Sequence, residues 1–124
     1  MKRNMDIVRQ IILATAELPY ARTLDSLSGI SDEDFVLHVI WLEEAGLVIA
    51  DAQAGAGSIA KYAIVSRLTW SGCEFADSVL DENLWTKAKG TVLKPGMSFT
   101  FDILKEWTKT EIMNGLPTLR GLAG

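Results

Sequence analysis

One cysteine, Cys73, and one histidine, His38, are all that this 124-residue sequence offers of the two residue types that most often build cross-links and structural metal sites. A single cysteine excludes an internal disulfide, and the two residues together cannot complete a four-ligand Cys/His zinc site. No run of about 18 apolar residues is present, so a membrane-spanning helix is not expected. The opening stretch MKRNMDIVRQIILATAEL has a basic tip, but Asp6, Arg9, Gln10 and Glu17 interrupt its apolar residues. That rules against a secretory core and makes a cytoplasmic location the expectation. Positive charge is also missing where it would matter most, because no lysine or arginine lies between Ser31 and Ala60.

What is present is the composition of one ordinary globular domain, 48% hydrophobic and 23% charged. A chain of this length buries about two thirds of its unfolded surface. The net charge of −4 is unevenly spread. From Asp25 to Glu82 there are eleven acidic residues against two basic ones, Lys61 and Arg67, a local balance of −9; the remainder is +5. Nucleic-acid affinity comes mostly from Lys and Arg neutralising phosphates, so an acidic middle disfavours DNA as the partner of that region.

Residues 4 to 18 place Met5, Val8, Ile12 and Ala16 at spacings of three and four, with Ile11 and Leu18 widening the stripe, which predicts a first helix capped by Asn4 and stopped by Pro19. Residues 22 to 28 read as a short strand or an irregular turn. Ser31 opens a second helix, with Asp32, Glu33 and Asp34 at its positive end and Gly46 as its left-handed terminator. Apolar residues surround that helix on nearly every side, so it is expected to be deeply buried or covered by a partner. Residues 47 to 50 and 60 to 68 predict a hairpin joined by the loop DAQAGAGSI with a mobile tip. Thr69 caps a third helix that continues toward Trp85 and ends near Gly90; 91 to 97 read as a loop, and 98 to 115 as a fourth helix.

The order helix, extended segment, helix, glycine, hairpin, Leu-Thr, helix predicts an α+β fold. It is specifically a winged-helix-like domain over residues 1 to 90, with a two- or three-stranded antiparallel wing sheet. Residues 91 to 124 add a loop and a C-terminal helix that packs on the domain or forms a dimer contact, with 98 to 114 as the candidate homodimer segment. MKRNMDIVRQIIL, HVIWLEEAGLV, RLTWSGCEFADSVLDENLWTKAKG and SFTFDILKEW together resemble the family called domain of unknown function 2513. The resemblance covers nearly the whole chain, and RLTW-x-G with Trp85 downstream is its most specific part. It implies a winged-helix fold in a protein of bacterial, phage or prophage origin, with no established activity. This chain has Cys73 where the family usually has histidine after the glycine, which removes any metal or acid/base role for that position here.

No nucleophile, base and orienter can be placed together, so no catalytic residue, cofactor or metal ligand is assigned and an enzyme is not expected. His38 lies one turn after Asp34, whose carboxylate would fix its tautomer or support its charged form, but a structural or interfacial role is the better reading. Glu43 and Glu44 are adjacent and point about 100° apart on a helix, so they read as solvated charge. Gly55-Ala56-Gly57 lacks the ending of a phosphate loop. Cys73 reads as a small buried apolar residue. Trp41 is either core or an interface anchor.

Two functions remain. One is a non-catalytic module that binds a host or phage protein, or itself, through Asp32, Glu33, Asp34, His38, Trp41, Glu43 and Glu44; a special form is an acidic inhibitor of a host nucleic-acid-handling or defence complex. The other is a dimeric DNA-binding transcriptional regulator using Lys61, Arg67, Lys87 and Lys89 on phosphates.

Overall fold

The computed structural model describes residues 2–54, 60–91 and 101–115. Among them are α1 (Met5–Ala16), α2 (Asp32–Glu44), β1 (Val48–Ala54), β2 (Ala60–Leu68), α3 (Trp70–Val79), α4 (Glu82–Gly90) and α5 (Phe101–Gly115). The α+β class is as expected. By compactness the chain divides into two units, Met1–Ala76 and Asp77–Gly124.

Both early helices start on the caps their sequences encode. The Asn4 side-chain oxygen accepts from the main-chain N–H of Asp6 at 2.9 Å, and Ser31 Oγ accepts from that of Asp34 at 3.2 Å. The buried stripe of α1 is Val8, Ile11, Ile12 and Thr15, whereas Ala16, expected on the apolar side, is exposed. Thr15 is accommodated because its hydroxyl donates to the Ile11 carbonyl at 2.7 Å. Between the helices Ala21 takes a left-handed φ of 67° in a tight turn that the Arg22 N–H closes onto the Pro19 carbonyl.

The two strands pair antiparallel, with Val48 opposite Leu68, Ala50 opposite Val65 and Gln53 opposite Tyr62. Strand β1 runs four residues further than the sequence predicts, through Asp51 to Ala54. Pairing with Tyr62, Ala63 and Ile64 outweighs the poor strand preference of Asp and Ala. Residues 55 to 59, which hold Gly55-Ala56-Gly57, lie outside the described residues, as do the predicted loop from 92 onward and the tail after 115. Leu24 forms an isolated antiparallel bridge to Val65, exchanging main-chain hydrogen bonds of 2.9 and 2.8 Å, so residues 22 to 28 contribute one bridge and not a strand. Val65 thereby turns its polar groups to Leu24 and not to Ala50, which places Leu24 along the outer edge of β2. One sheet face is buried through Val48, Ala63, Val65 and Leu68 beneath α2, whose Phe35, Val36, Val39 and Leu42 are buried with Val8, Ile11 and Ile12 of α1. The other face presents Ile49, Tyr62, Ile64 and Arg67.

The exit from α2 and the entry to α3 are built together. Gly46 adopts the left-handed conformation, φ 76°, and turns the chain into Leu47. The Thr69 N–H donates to the Leu47 carbonyl at 3.0 Å and its hydroxyl donates to the Gly46 carbonyl at 2.6 Å. The same hydroxyl accepts from the Gly72 N–H at 3.0 Å, which makes Thr69 the α3 cap. One side chain therefore links the turn that leaves α2 to the first turn of α3. Thr69→Ala is expected to lower stability by about 1 to 2 kcal/mol, and Thr69→Ser to recover most of it, as measured by urea unfolding.

The predicted long third helix is in fact two. The chain leaves helical geometry at Leu80 and Asp81, and the Asp81 carboxylate accepts from the Leu84 N–H at 2.9 Å to start α4 afresh. An aspartate followed by Glu82 in the first turn is a start signal that outcompetes continuation of α3. In the second unit Trp85 and Ala88 of α4 and Leu104 and Thr108 of α5 are buried, and Lys87 pairs with Glu111 between these two helices.

Candidate interaction surface

The only histidine is enclosed: His38 is 1% exposed. Its Nδ1 lies 2.7 Å from the Asp34 carbonyl oxygen and its Nε2 2.9 Å from the Asn4 main-chain nitrogen. A carbonyl only accepts and an amide N–H only donates, so Nδ1 carries the proton and Nε2 offers its lone pair. The main-chain carbonyl of Asp34, not the carboxylate expected from the sequence, meets the ring. Trp41 stands against the imidazole edge-to-face, 5.1 Å between centroids at 87°. The Nε2 bond thus fastens the residue before α1 to α2, while the Nδ1 bond is made within α2 and holds the ring.

The remaining candidates on α2 fall on its outer side. Asp32, Glu33, Glu43 and Glu44 are exposed, and Asp34, Leu37, Ile40 and Trp41 are half-buried. Residues 33, 37, 40, 41 and 44 share one side at helical spacing, so an apolar strip is flanked at both ends by carboxylates. The helix expected to be deeply buried or covered by a partner is buried at Phe35, Val36, Val39 and Leu42 and half-buried at Leu37, Ile40 and Trp41. Trp41 is half-buried, with its ring packed against His38.

The basic candidates are divided between the two units. Lys61 lies in β2 with its side chain outside the described set, and Arg67 is exposed on the outer sheet face with Nη1 donating to the Leu68 carbonyl at 3.1 Å. Lys87 and Lys89 are on α4 in the other unit, and Lys87 is held by Glu111. In α5, the helix of the expected dimer segment, Leu104 and Thr108 are buried, while Ile103 and Met113 are exposed. Cys73 is exposed, contrary to the expectation of a buried apolar residue. Phe75, Ala76 and Val79 fix the buried side of α3, and Cys73 falls on the opposite one.

That same geometry exposes a residue the sequence reading passed over. Trp70 is 82% exposed in the first turn of α3. The signal was available, because 70, 73, 74 and 77 form the side opposite Gly72, Phe75, Ala76 and Val79. Among the described residues no group of three His, Cys, Asp or Glu converges as metal ligands, and no helix is long and apolar enough to cross a membrane.

Comparison with known proteins gives a family without an assigned role. Residues 2–98 match the family described as "Hypothetical protein (DUF2513)". An uncharacterized protein of Haemophilus influenzae is 29% identical over 116 residues, which cover 90% of this chain and 96% of that protein. No solved structure matches the chain.

Proposed function

The chain belongs to the DUF2513 family, and from that premise and the geometry of α2 we propose that it is a non-catalytic, winged-helix-like protein of phage or prophage type that acts by binding another protein. The carrying observation is the outer side of α2, where Leu37, Ile40 and Trp41 are flanked by Glu33 and Glu44 with no cation from Ser31 to Ala60. An apolar strip inside a charged rim is the anatomy of a protein interface. The same carboxylates would repel phosphates.

The winged-helix part of this reading is supported by the order α1, Leu24 bridge, α2, hairpin, α3. It is a reduced version. Between Leu24 and Ser31 the chain makes only a turn closed by the Ile30 N–H on the Leu27 carbonyl, so the helix that normally crosses the DNA backbone ahead of a recognition helix is missing. Engagement of both His38 nitrogens by main chain supports the non-catalytic part. An inhibitor of a host nucleic-acid-handling or defence complex is the form that best uses an acidic face, because it would occupy a site shaped for phosphates.

The test is a gel-shift titration of the full chain with random duplex DNA at low salt. No binding tighter than about 100 μM is expected, the weak end of ordinary non-specific association. Submicromolar binding that falls steeply with added salt would replace this reading with that of a DNA-binding regulator.

A further inference from the structure

We infer that Trp70, with Glu43 and Glu44 at the end of α2, forms a docking surface for an arginine-bearing segment of a partner protein; this rests on the protein-binding reading and names the chemistry of the partner. Trp70 is placed by the main chain. Thr69, its neighbour, is hydrogen-bonded to both Leu47 and Gly46, and the Gly46 N–H bonds the Glu43 carbonyl. The first turn of α3 therefore lies against the α2 exit, where Glu43, Glu44, Ala45 and Gly46 are all exposed. Nothing in the fold requires an indole at this point: Thr69 does the capping, Gly72 makes the close approach, and Phe75, Ala76 and Val79 supply the buried side. The largest side chain in the chain's repertoire is left 82% in water, where a polar residue would serve α3 equally well.

The charge beside it selects the occupant. The last turn of α2 contains no basic residue, so the two carboxylates add to the negative end of the helix dipole and do not offset it. Among the described residues neither Glu43 nor Glu44 has an ion-pair partner. Arg67, three residues before Trp70, has Nη1 turned onto the Leu68 carbonyl. An exposed indole on the turn that the main chain ties to the α2 exit, with two carboxylates in the last turn of α2, suits a guanidinium, which stacks on an aromatic face and forks onto carboxylates. Duplex DNA and anionic lipid would meet repulsion here. A second copy related by a two-fold axis would bring the same carboxylates against themselves. A purely apolar segment would bury them without partners.

The experiment selects peptides from a phage-displayed random dodecapeptide library on the immobilised full chain. The recovered peptides are then titrated by fluorescence anisotropy against the wild type, Trp70→Ala, Glu43→Gln/Glu44→Gln and, just past the end of α1, Glu17→Gln. The expected result is enrichment of arginine, with affinity about tenfold lower or worse for the first two variants and within about twofold of wild type for the third, a single exposed charge outside this surface. Unchanged thermal unfolding of Trp70→Ala would accompany it, since the ring is exposed. Peptides that bind Trp70→Ala as tightly as the wild type overturn the assignment of this surface and leave the protein-binding reading standing. Recovery of no peptide counts against both. A wild-type dimer that Trp70→Ala converts to monomer, read by light scattering, gives the face to a second copy and overturns the inference as well.

Discussion

Gly72→Ala is expected to destabilise the protein by about 3 kcal/mol or more, enough to leave much of the chain unfolded or insoluble at physiological temperature. A methyl group at this position would stand inside 3.0 Å of the Leu47 carbonyl oxygen, and 3.1 Å from both the Leu47 carbonyl carbon and the Leu68 Cβ. The two closest of these atoms are main chain. They cannot swing aside as the end of a long side chain would, because the Leu47 carbonyl is already fixed by the Thr69 N–H. Relief requires α3 to move off the α2 exit, which also separates Thr69 Oγ1 from the Gly46 carbonyl. The sign is informative, since helix propensity alone predicts that alanine in place of a helical glycine stabilises by about 0.5 to 1 kcal/mol. Gly90 provides the comparison: it lies at the end of α4, its φ is not in the left-handed range, and an added methyl would meet nothing within 4 Å. Gly90→Ala is thus expected to be neutral or mildly stabilising. If thermal unfolding places the two variants together, the close approach of α3 to Leu47 is not what holds this junction.

The junction also measures what the sequence makes legible. HVIWLEEAGLV and RLTWSG stand out as phrases, and their local roles are readable: Gly46 ends a helix, Thr69 caps one. That the two phrases meet is a tertiary fact, carried by hydrogen bonds between residues 22 and 23 apart. Local rules predict helix starts well wherever a side chain caps its own first turn, as Asn4, Ser31 and Thr69 do. They fail at Asp81 because the apolar periodicity from Phe75 to Trp85 runs straight across an equally local cap. They fail along Asp51 to Ala54 for a different reason: that strand exists by pairing with Tyr62 to Ile64, and its own residues carry little preference for it.

At the surface, composition marks α2 as acidic with an apolar strip, and the structure places those residues on one side. What composition cannot tell is which tryptophan is open. Four indoles look alike in a sequence. Exposure was decided by which side of α3 faces Leu47, and Gly72 sets that side. A glycine that must touch backbone orients the helix, and the residue two positions earlier is carried out to solvent. Trp70 is therefore a consequence of Gly72, legible only after the contact to Leu47 is known.

His38→Ala is expected to cost about 2 to 4 kcal/mol, the second large effect, and the comparison with His38→Phe separates its parts. Alanine removes a fully buried ring, leaves a cavity beside Trp41, and strips the Asn4 N–H of its acceptor. Phenylalanine keeps the volume and the edge-to-face contact while still removing both polar links. If the hydrogen bonds dominate, the two variants unfold at similar urea concentrations, both well below the wild type. If packing dominates, phenylalanine recovers most of the loss. The Asp34 carbonyl is one of the helix's own acceptors, so losing the Nδ1 donor leaves it served by the α2 ladder; the Asn4 amide has no such reserve among the described residues. The hydrogen-bond share should therefore be about 1 to 2 kcal/mol, and His38→Phe should fall between the wild type and His38→Ala. The damage should also be local to the start of α1: amide hydrogen exchange at residues 4 to 8 should accelerate more in His38→Phe than exchange in β1 and β2. Uniform acceleration across helix and hairpin would mean that the imidazole supports the core as a whole, and not the attachment of α1 to α2 that its bond to the Asn4 amide describes.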